Sequence, residues 1–205
     1  LTRDFTALYR GEELPPLRIQ YKDFAVWHRD PKHLEAAKRR ENYWLERFND
    51  DIPVLQLPFD FPRPSVFQFQ GNQVSRVLEP RQTARLNALA SQSGCTLYMA
   101  LTAALNILLH RLSGSDDIII GTAVAGRGHA DLETVIGMFI NTLAIRNFPK
   151  PGKTVTEFLK EIKQNTLDAF ENQDYPFEEL VEKVGVKRDT SRNPLFDVMF
   201  TLQNM

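Results

Sequence analysis

The stretch DIIIGTAV, residues 117–124, constrains the fold more than any other. It is a short, β-branched apolar run of strand length. It leads into a glycine-bearing loop, AGRGHADLETVIG, and then into a second strand, INTLAIRN, at 140–147. A helix follows, opened by a capping box of Thr154 and Glu157, with Val155, Phe158, Leu159, Ile162 and Ala169 as its buried stripe. Ahead of the first strand, a helix from Thr96 places Leu97, Ala100, Leu101, Ala104, Leu105, Leu108 and Leu109 at one-face spacing and reads as a central core helix. Apolar strands alternating with such helices can bury their faces only in layers, so the fold class expected is α/β (α+β).

The rest of the chain is organised around that unit. Residues 1–48 read as helical: a short first helix, a break at Pro15–Pro16, then helices at 22–29 and 33–48, the last with Leu34, Ala37, Trp44, Leu45 and Phe48 on one side. The connector IPVLQLPFDFPRPSV, 52–66, holds four prolines and no helical period. It is expected to run extended over the surface and to divide the chain into 1–66 and 67–205. QVSRVLE, from residue 73, reads as a strand, and Pro80 opens a helix. In ENQDYPFEEL, 171–180, Tyr175 is pushed out of the helical region by Pro176, which suits the first position of a new helix. That helix carries Phe177, Leu180, Val181 and Val184 on one face, Glu178 and Glu179 in its first turn, and Gly185 at its end. The closing LFDVMFTLQNM alternates Phe196, Val198, Phe200 and Leu202 as a strand. An opening helix without Met and a strand in progress at the close lead us to expect a piece of a larger polypeptide.

Composition excludes several classes. A formal net charge of -1 with scattered basic residues argues against nucleic acid as a partner. The single Cys95 rules out an intrachain disulfide framework. The best apolar run, Leu97 to Leu109, is too short to span a bilayer. The four histidines, His28, His33, His110 and His129, show no metal-ligand spacing, so no metal is expected. His28 and His33 read as solvated, and His110 suits the C-terminal end of the core helix. His129 sits in the glycine-flanked loop with no adjacent nucleophile.

Four segments stand out together: YKDFAVW at 21–27, IGMFINTLAIR at 136–146, NQDYPFE at 172–178 and RDTSRNPL at 188–195. In order, spacing and wording they resemble the later core motifs of condensation domains of nonribosomal peptide synthetases. The resemblance implies a chloramphenicol-acetyltransferase-like fold, with 1–66 as the end of the N-terminal lobe plus linker and 67–205 as the C-terminal lobe, truncated at its C-terminal end. Such domains form amide bonds in antibiotic biosynthesis. Donor and acceptor carrier domains present 4′-phosphopantetheine thioesters at the two mouths of a tunnel, beside an adjacent adenylation domain, in the cytoplasm, with no cofactor bound directly. The family's catalytic signature, HHxxxDG, is absent from these 205 residues, and the resemblance places it just upstream of Leu1. The chain by itself is therefore expected to be inert.

The resemblance also singles out residues. Arg127 is expected to hold the catalytic loop's aspartate through a structural ion pair, and to matter more than Arg146. The loop 127–141, with His129, Gly137 and Asn141, resembles the segment that floors the tunnel. Asn141 has two readings, one lining the tunnel and one satisfying backbone groups at the loop end. Arg188, Asp189 and Arg192 read as a charge network fixing a turn, and Tyr21, Asp23 and Trp27 as packing and capping groups. Two other readings stay open: an epimerization-domain fragment, and a non-catalytic docking platform for a carrier or tailoring protein.

Overall fold

The computed structural model describes every residue except 29, 31, 33, 188, 204 and 205. The expectations for His33 and Arg188 therefore lie outside the described residues. Three helices come first: α1 (Thr2–Tyr9), α2 (Tyr21–His28) and α3 (Leu34–Arg47). After the connector come α4 (Pro80–Gln92), α5 (Leu97–Ser113), β1 (Ile118–Val124), β2 (Asn141–Asn147), α6 (Val155–Glu171), α7 (Phe177–Val184) and β3 (Val198–Met199).

Local chemistry sets the helix ends. Thr154 accepts from the Glu157 amide at 3.2 Å while the Glu157 carboxylate accepts from the Thr154 amide at 2.8 Å, so each covers a donor the helix leaves open. Pro176 takes the N-cap of α7, so the helix starts at Phe177, one residue later than the sequence suggests, and Gly185 ends it at φ +67°. α5 starts where expected, at Thr96, but runs past His110 to Ser113, capped by Gly114, and its buried face is rotated. Met99, Ala100, Thr102, Ala103, Asn106 and Leu109 are buried, while Ala104 and Leu108 are exposed. The small residues win the interior because Ala100 and Ala103 let Phe158, Leu159 and Ile162 of α6 approach closely.

The sheet order is β2-β1-β3. β1 and β2 pair antiparallel from Ile118↔Asn147 to Val124↔Asn141, and β3 joins β1 in parallel at Ile120↔Val198. Both faces of β1 are covered. Ile119 joins Trp44, Phe48, Leu143, Ile145, Ala169 and Leu180, whereas Ile118 and Ile120 meet Leu55, Leu109 and Val198. Double burial explains the unbroken Ile-Ile-Ile run. Gly121 has no side chain because the Phe196 ring lies where one would be, 2.5 Å from an ideal Cβ.

Two strand expectations need correction. Residues 73–79 form no strand, and Val74 and Val77 are 82% and 95% exposed. A strand exists only by bonding to a neighbour, and no described residue pairs with this segment. The closing strand shrinks to Val198–Met199, extended by a bond from the Phe200 amide to the Gly121 carbonyl at 2.8 Å. The connector also does more than cross the surface. Leu55 is buried, and Arg63 donates to the Ser191 carbonyl and to Asp197, each at 3.2 Å.

α3 shares its core with the sheet and α7. Arg146, on β2, is the polar hub of that junction. Its Nε and Nη2 hold Asp117, Nη1 donates to Asp50 and to the Arg47 carbonyl, and Nη2 donates to the Asp51 carbonyl at 2.8 Å. It is 5% exposed. The two carboxylates hold the guanidinium charged more firmly than usual, with Asp117 the larger influence.

Candidate functional site

The segment between β1 and β2 runs from Ala125 to Ile140 as loop, with one short 3-10 turn at Ala130–Leu132. Its shape follows from Gly126 and Gly137 and from the side chains of Arg127, Leu132, Val135 and Phe139. Gly126 has φ +61°, and an ideal Cβ there would stand 1.8 Å from the Phe139 carbonyl oxygen, so the two arms of the loop close on each other only without a side chain. Arg127 lies with its guanidinium 4.1 Å from the Phe139 ring centroid. Its Nη1 donates to the Val135 carbonyl at 2.8 Å and to the Leu132 carbonyl. Leu132, Val135 and Phe139 are buried against Ile19 and Phe24, which ties the loop to α2.

Tyr21, at the start of α2, completes the attachment. Its hydroxyl donates to the Met138 carbonyl at 2.9 Å, and its ring meets Phe139 edge-on at 5.1 Å. A Cβ at Gly137 would stand 2.1 Å from the Tyr21 ring. So YKDFAVW and IGMFIN are two halves of one contact. Asp23 accepts from the Gln20 amide at 2.8 Å, the capping role expected of it, and Trp27 lies beside Phe24.

Asn141 satisfies backbone groups at the loop end. Its Nδ2 donates to the Gln173 and Tyr175 carbonyls, both at 2.7 Å, and its Oδ1 accepts from the Thr142 amide at 2.9 Å and the Phe177 amide at 3.2 Å. The corner NQDYPFE is thus clamped by a side chain on β2. From the other side, Trp44 donates to the Asn172 carbonyl at 3.0 Å and Arg40 pairs with Asp174 at 2.8 Å. Burial, with Glu41 nearby, pushes the Tyr175 phenol up.

His129 is exposed, and its Nδ1 accepts from the Asp131 amide at 3.2 Å, so it caps its own turn. Asp131 in turn meets Arg18 at 3.3 Å. Asp189 accepts from Ser191 and pairs with Arg192 at 3.1 Å, the turn-fixing network expected, and Arg192 continues to Asp197 at 3.3 Å. Among the described residues no ion pair involves Arg127, and no cluster of His, Cys, Asp and Glu could hold a metal ion. A depression of about 500 Å³ lined by Tyr43, Glu46, Arg47, Asp168, Glu171 and Asn172 takes no residue from the loop. These residues build and fix a loop; they do not assemble a nucleophile with a base. Sequence reasoning missed the Tyr21–Gly137 contact and the Arg146 hub. The glycine in IGMFIN was the one available signal for the first, and a charge inside an apolar strand for the second.

The Condensation domain family matches residues 1–205. The chain belongs to that family. It is 53% identical, over its whole length, to tyrocidine synthase 3 of Brevibacillus parabrevis, and 52% identical to gramicidin S synthase 2 of Aneurinibacillus migulanus. It spans only 3% and 5% of those relatives' lengths. Among solved structures, it resembles the X-domain of teicoplanin biosynthesis, seen in complex with OxyB, with TM-score 0.83 and 26% identity over 94% of this chain and 44% of that one. It also resembles a holo four-domain nonribosomal peptide synthetase bound to AMP and glycine, with TM-score 0.76 and 29% identity over 78% of this chain and 12% of that one. The chloramphenicol-acetyltransferase-like fold expected from the motifs is thus the fold found. Among the described residues no single helix is long and apolar enough to cross a membrane.

Proposed function

We propose that the synthetase containing this chain joins two carrier-bound substrates: the amine held on an acceptor carrier attacks the thioester carbonyl held on a donor carrier, an amide forms, and the donor's phosphopantetheine thiol leaves. The match of the condensation family over residues 1–205 carries this reading. In it, loop 127–141 floors the passage between the carriers, residues 1–66 end the first lobe and residues 67–205 supply the second. α3 lends its apolar face to the second lobe's core. Arg127 spends Nη1 on the loop, which leaves its Nε and Nη2 edge for the aspartate of an HHxxxDG motif. The carriers, and an adenylation domain that loads one of them, are the partners, and the cytoplasm is the compartment.

Because the 205 residues hold no HHxxxDG, they are expected to be inert alone. Carriers loaded with donor and acceptor aminoacyl thioesters test both points. The complete domain should release amide product, and the isolated chain should not exceed uncatalysed aminolysis. Turnover by the isolated chain overturns the assignment of the chemistry to HHxxxDG. A second reading, a docking platform, draws on the likeness to an X-domain seen in complex with OxyB. A complete domain that binds partners without forming amide would favour it.

A further inference from the structure

Along residues 135–140 the side chains alternate. Val135 and Phe139 are buried, while Ile136, Met138 and Ile140 face outward at 63%, 74% and 66% exposure. These three apolar side chains point outward from one stretch of backbone. Gly126 and Arg127 fix the ends and the underside of that backbone. The middle is reached from another element: Tyr21 lays its ring in the notch left by Gly137, 2.1 Å from where a Cβ would be, and donates its hydroxyl to the Met138 carbonyl at 2.9 Å. That peptide lies at the centre of the outward row. The residue making the contact is 117 positions away in sequence and belongs to a helix, not to the loop.

We propose that Tyr21 is a positioning residue for amide formation. Through the Gly137 notch and the Met138 carbonyl it sets how far the row Ile136, Met138, Ile140 projects, and so where an apolar substrate side chain rests against the floor. This rests on the reading of loop 127–141 as the floor of the substrate passage. Tyr21→Phe keeps the ring in the notch and deletes only the hydrogen bond, so the fold persists while the peptide loosens.

The test uses the complete synthetase module with loaded carriers. Tyr21→Phe is expected to lower kcat per folded molecule about three- to tenfold, the scale of one hydrogen bond made to a positioned peptide, with KM unchanged. Its Tm should stay within about 2 °C of the parent. A role confined to folding would instead lower Tm and soluble yield and leave kcat per folded molecule at the parent's value, and that result overturns the proposal. A double-mutant cycle guards against a misfolded variant. Gly137→Ala should cost far more activity when Tyr21 is present than in a Tyr21→Ala background, and additive losses overturn the notch. If the module forms no amide at all, the functional reading fails and the lock is judged separately by hydrogen exchange of residues 136–140 in the same module. Tyr21→Phe should then speed exchange there at least about threefold, on the same hydrogen-bond scale, and unchanged rates overturn it.

Discussion

Two arginines show how differently one residue type can be used. Arg146 places its N–H groups on two carboxylates and two carbonyls in a buried junction, whereas Arg127 is half-buried and rests on two carbonyls and a ring. Within these 205 residues Arg146 therefore carries more of the stability, whereas the expectation that Arg127 matters more concerns the complete domain, where the aspartate partner would lie. Arg146→Ala leaves Asp117 without its partner and should cost about 3–5 kcal/mol in urea unfolding, against about 1–2 kcal/mol for Arg127→Ala. Arg146→Lys should fall between, since one ammonium cannot serve the same fork. Asn141 gives a sharper test. Removing its amide strands the Phe177 amide and two carbonyls, so Asn141→Ala should cost about 1–3 kcal/mol with an unchanged m-value. Asn141→Asp should cost at least as much at pH 7, because a carboxylate oxygen would then face the Gln173 and Tyr175 carbonyls. A smaller loss for Asn141→Asp would show that the side chain is not oriented as described.

At the scale of elements, the loop and the α3–α7 contact each make a testable case. Gly126→Ala must both adopt φ +61° and displace the Phe139 carbonyl, whereas Gly128, two residues on, has nothing within 4 Å of an ideal Cβ. Gly126→Ala is expected to cost more than about 2 kcal/mol and Gly128→Ala less than about 0.5 kcal/mol. Equal effects would mean that the arms do not close. Between α3 and α7, Glu41 meets Lys183 and Lys38, each at 2.6 Å. The Lys183 and Lys38 hydrogen bonds hold the Glu41 carboxyl below its ordinary 4.5. A lowered folded pKa means stability that is present above the unfolded value and is lost as pH falls through the folded one. The stability difference between the parent and Glu41→Gln should therefore be constant near neutrality and shrink below about pH 4.5. A difference independent of pH from 7 to 3 would show the pair to be idle.

For the molecule as a whole, the exposed apolar groups matter most. On α1, Phe5 and Tyr9 stack at 6.3 Å and are 68% and 84% exposed, and Phe61 and Phe69 on the connector side are 82% and 98% exposed. Large aromatic groups left in water drive association. A few hundred Å² buried at about 25 cal/mol per Å² amounts to several kcal/mol, the scale of a small domain's stability. The isolated 205 residues should bind ANS and sediment with a concentration-dependent mass, and the complete domain should do neither. A compact monomer at high concentration without dye binding would show that these surfaces need no cover.

The sequence by itself determined the local elements: the capping box at Thr154, the Gly185 helix end, the Ile118–Val124 strand and the corner at Pro176, because each is set by bonds within a few residues. The family and fold were legible too, because four motifs kept their order from residue 21 to residue 195. What those motifs do to one another was not. Asn141 clamps a corner 32 to 36 residues away, and Tyr21 locks a peptide 117 residues away. α5 turned its small residues inward because α6 packs there, a choice its leucine spacing could not reveal. QVSRVLE has strand composition and forms no strand, for propensity supplies no hydrogen-bonding partner. Local bonds are written in neighbouring residues, whereas close approach, clamping and pairing exist only once distant parts of the chain share a surface.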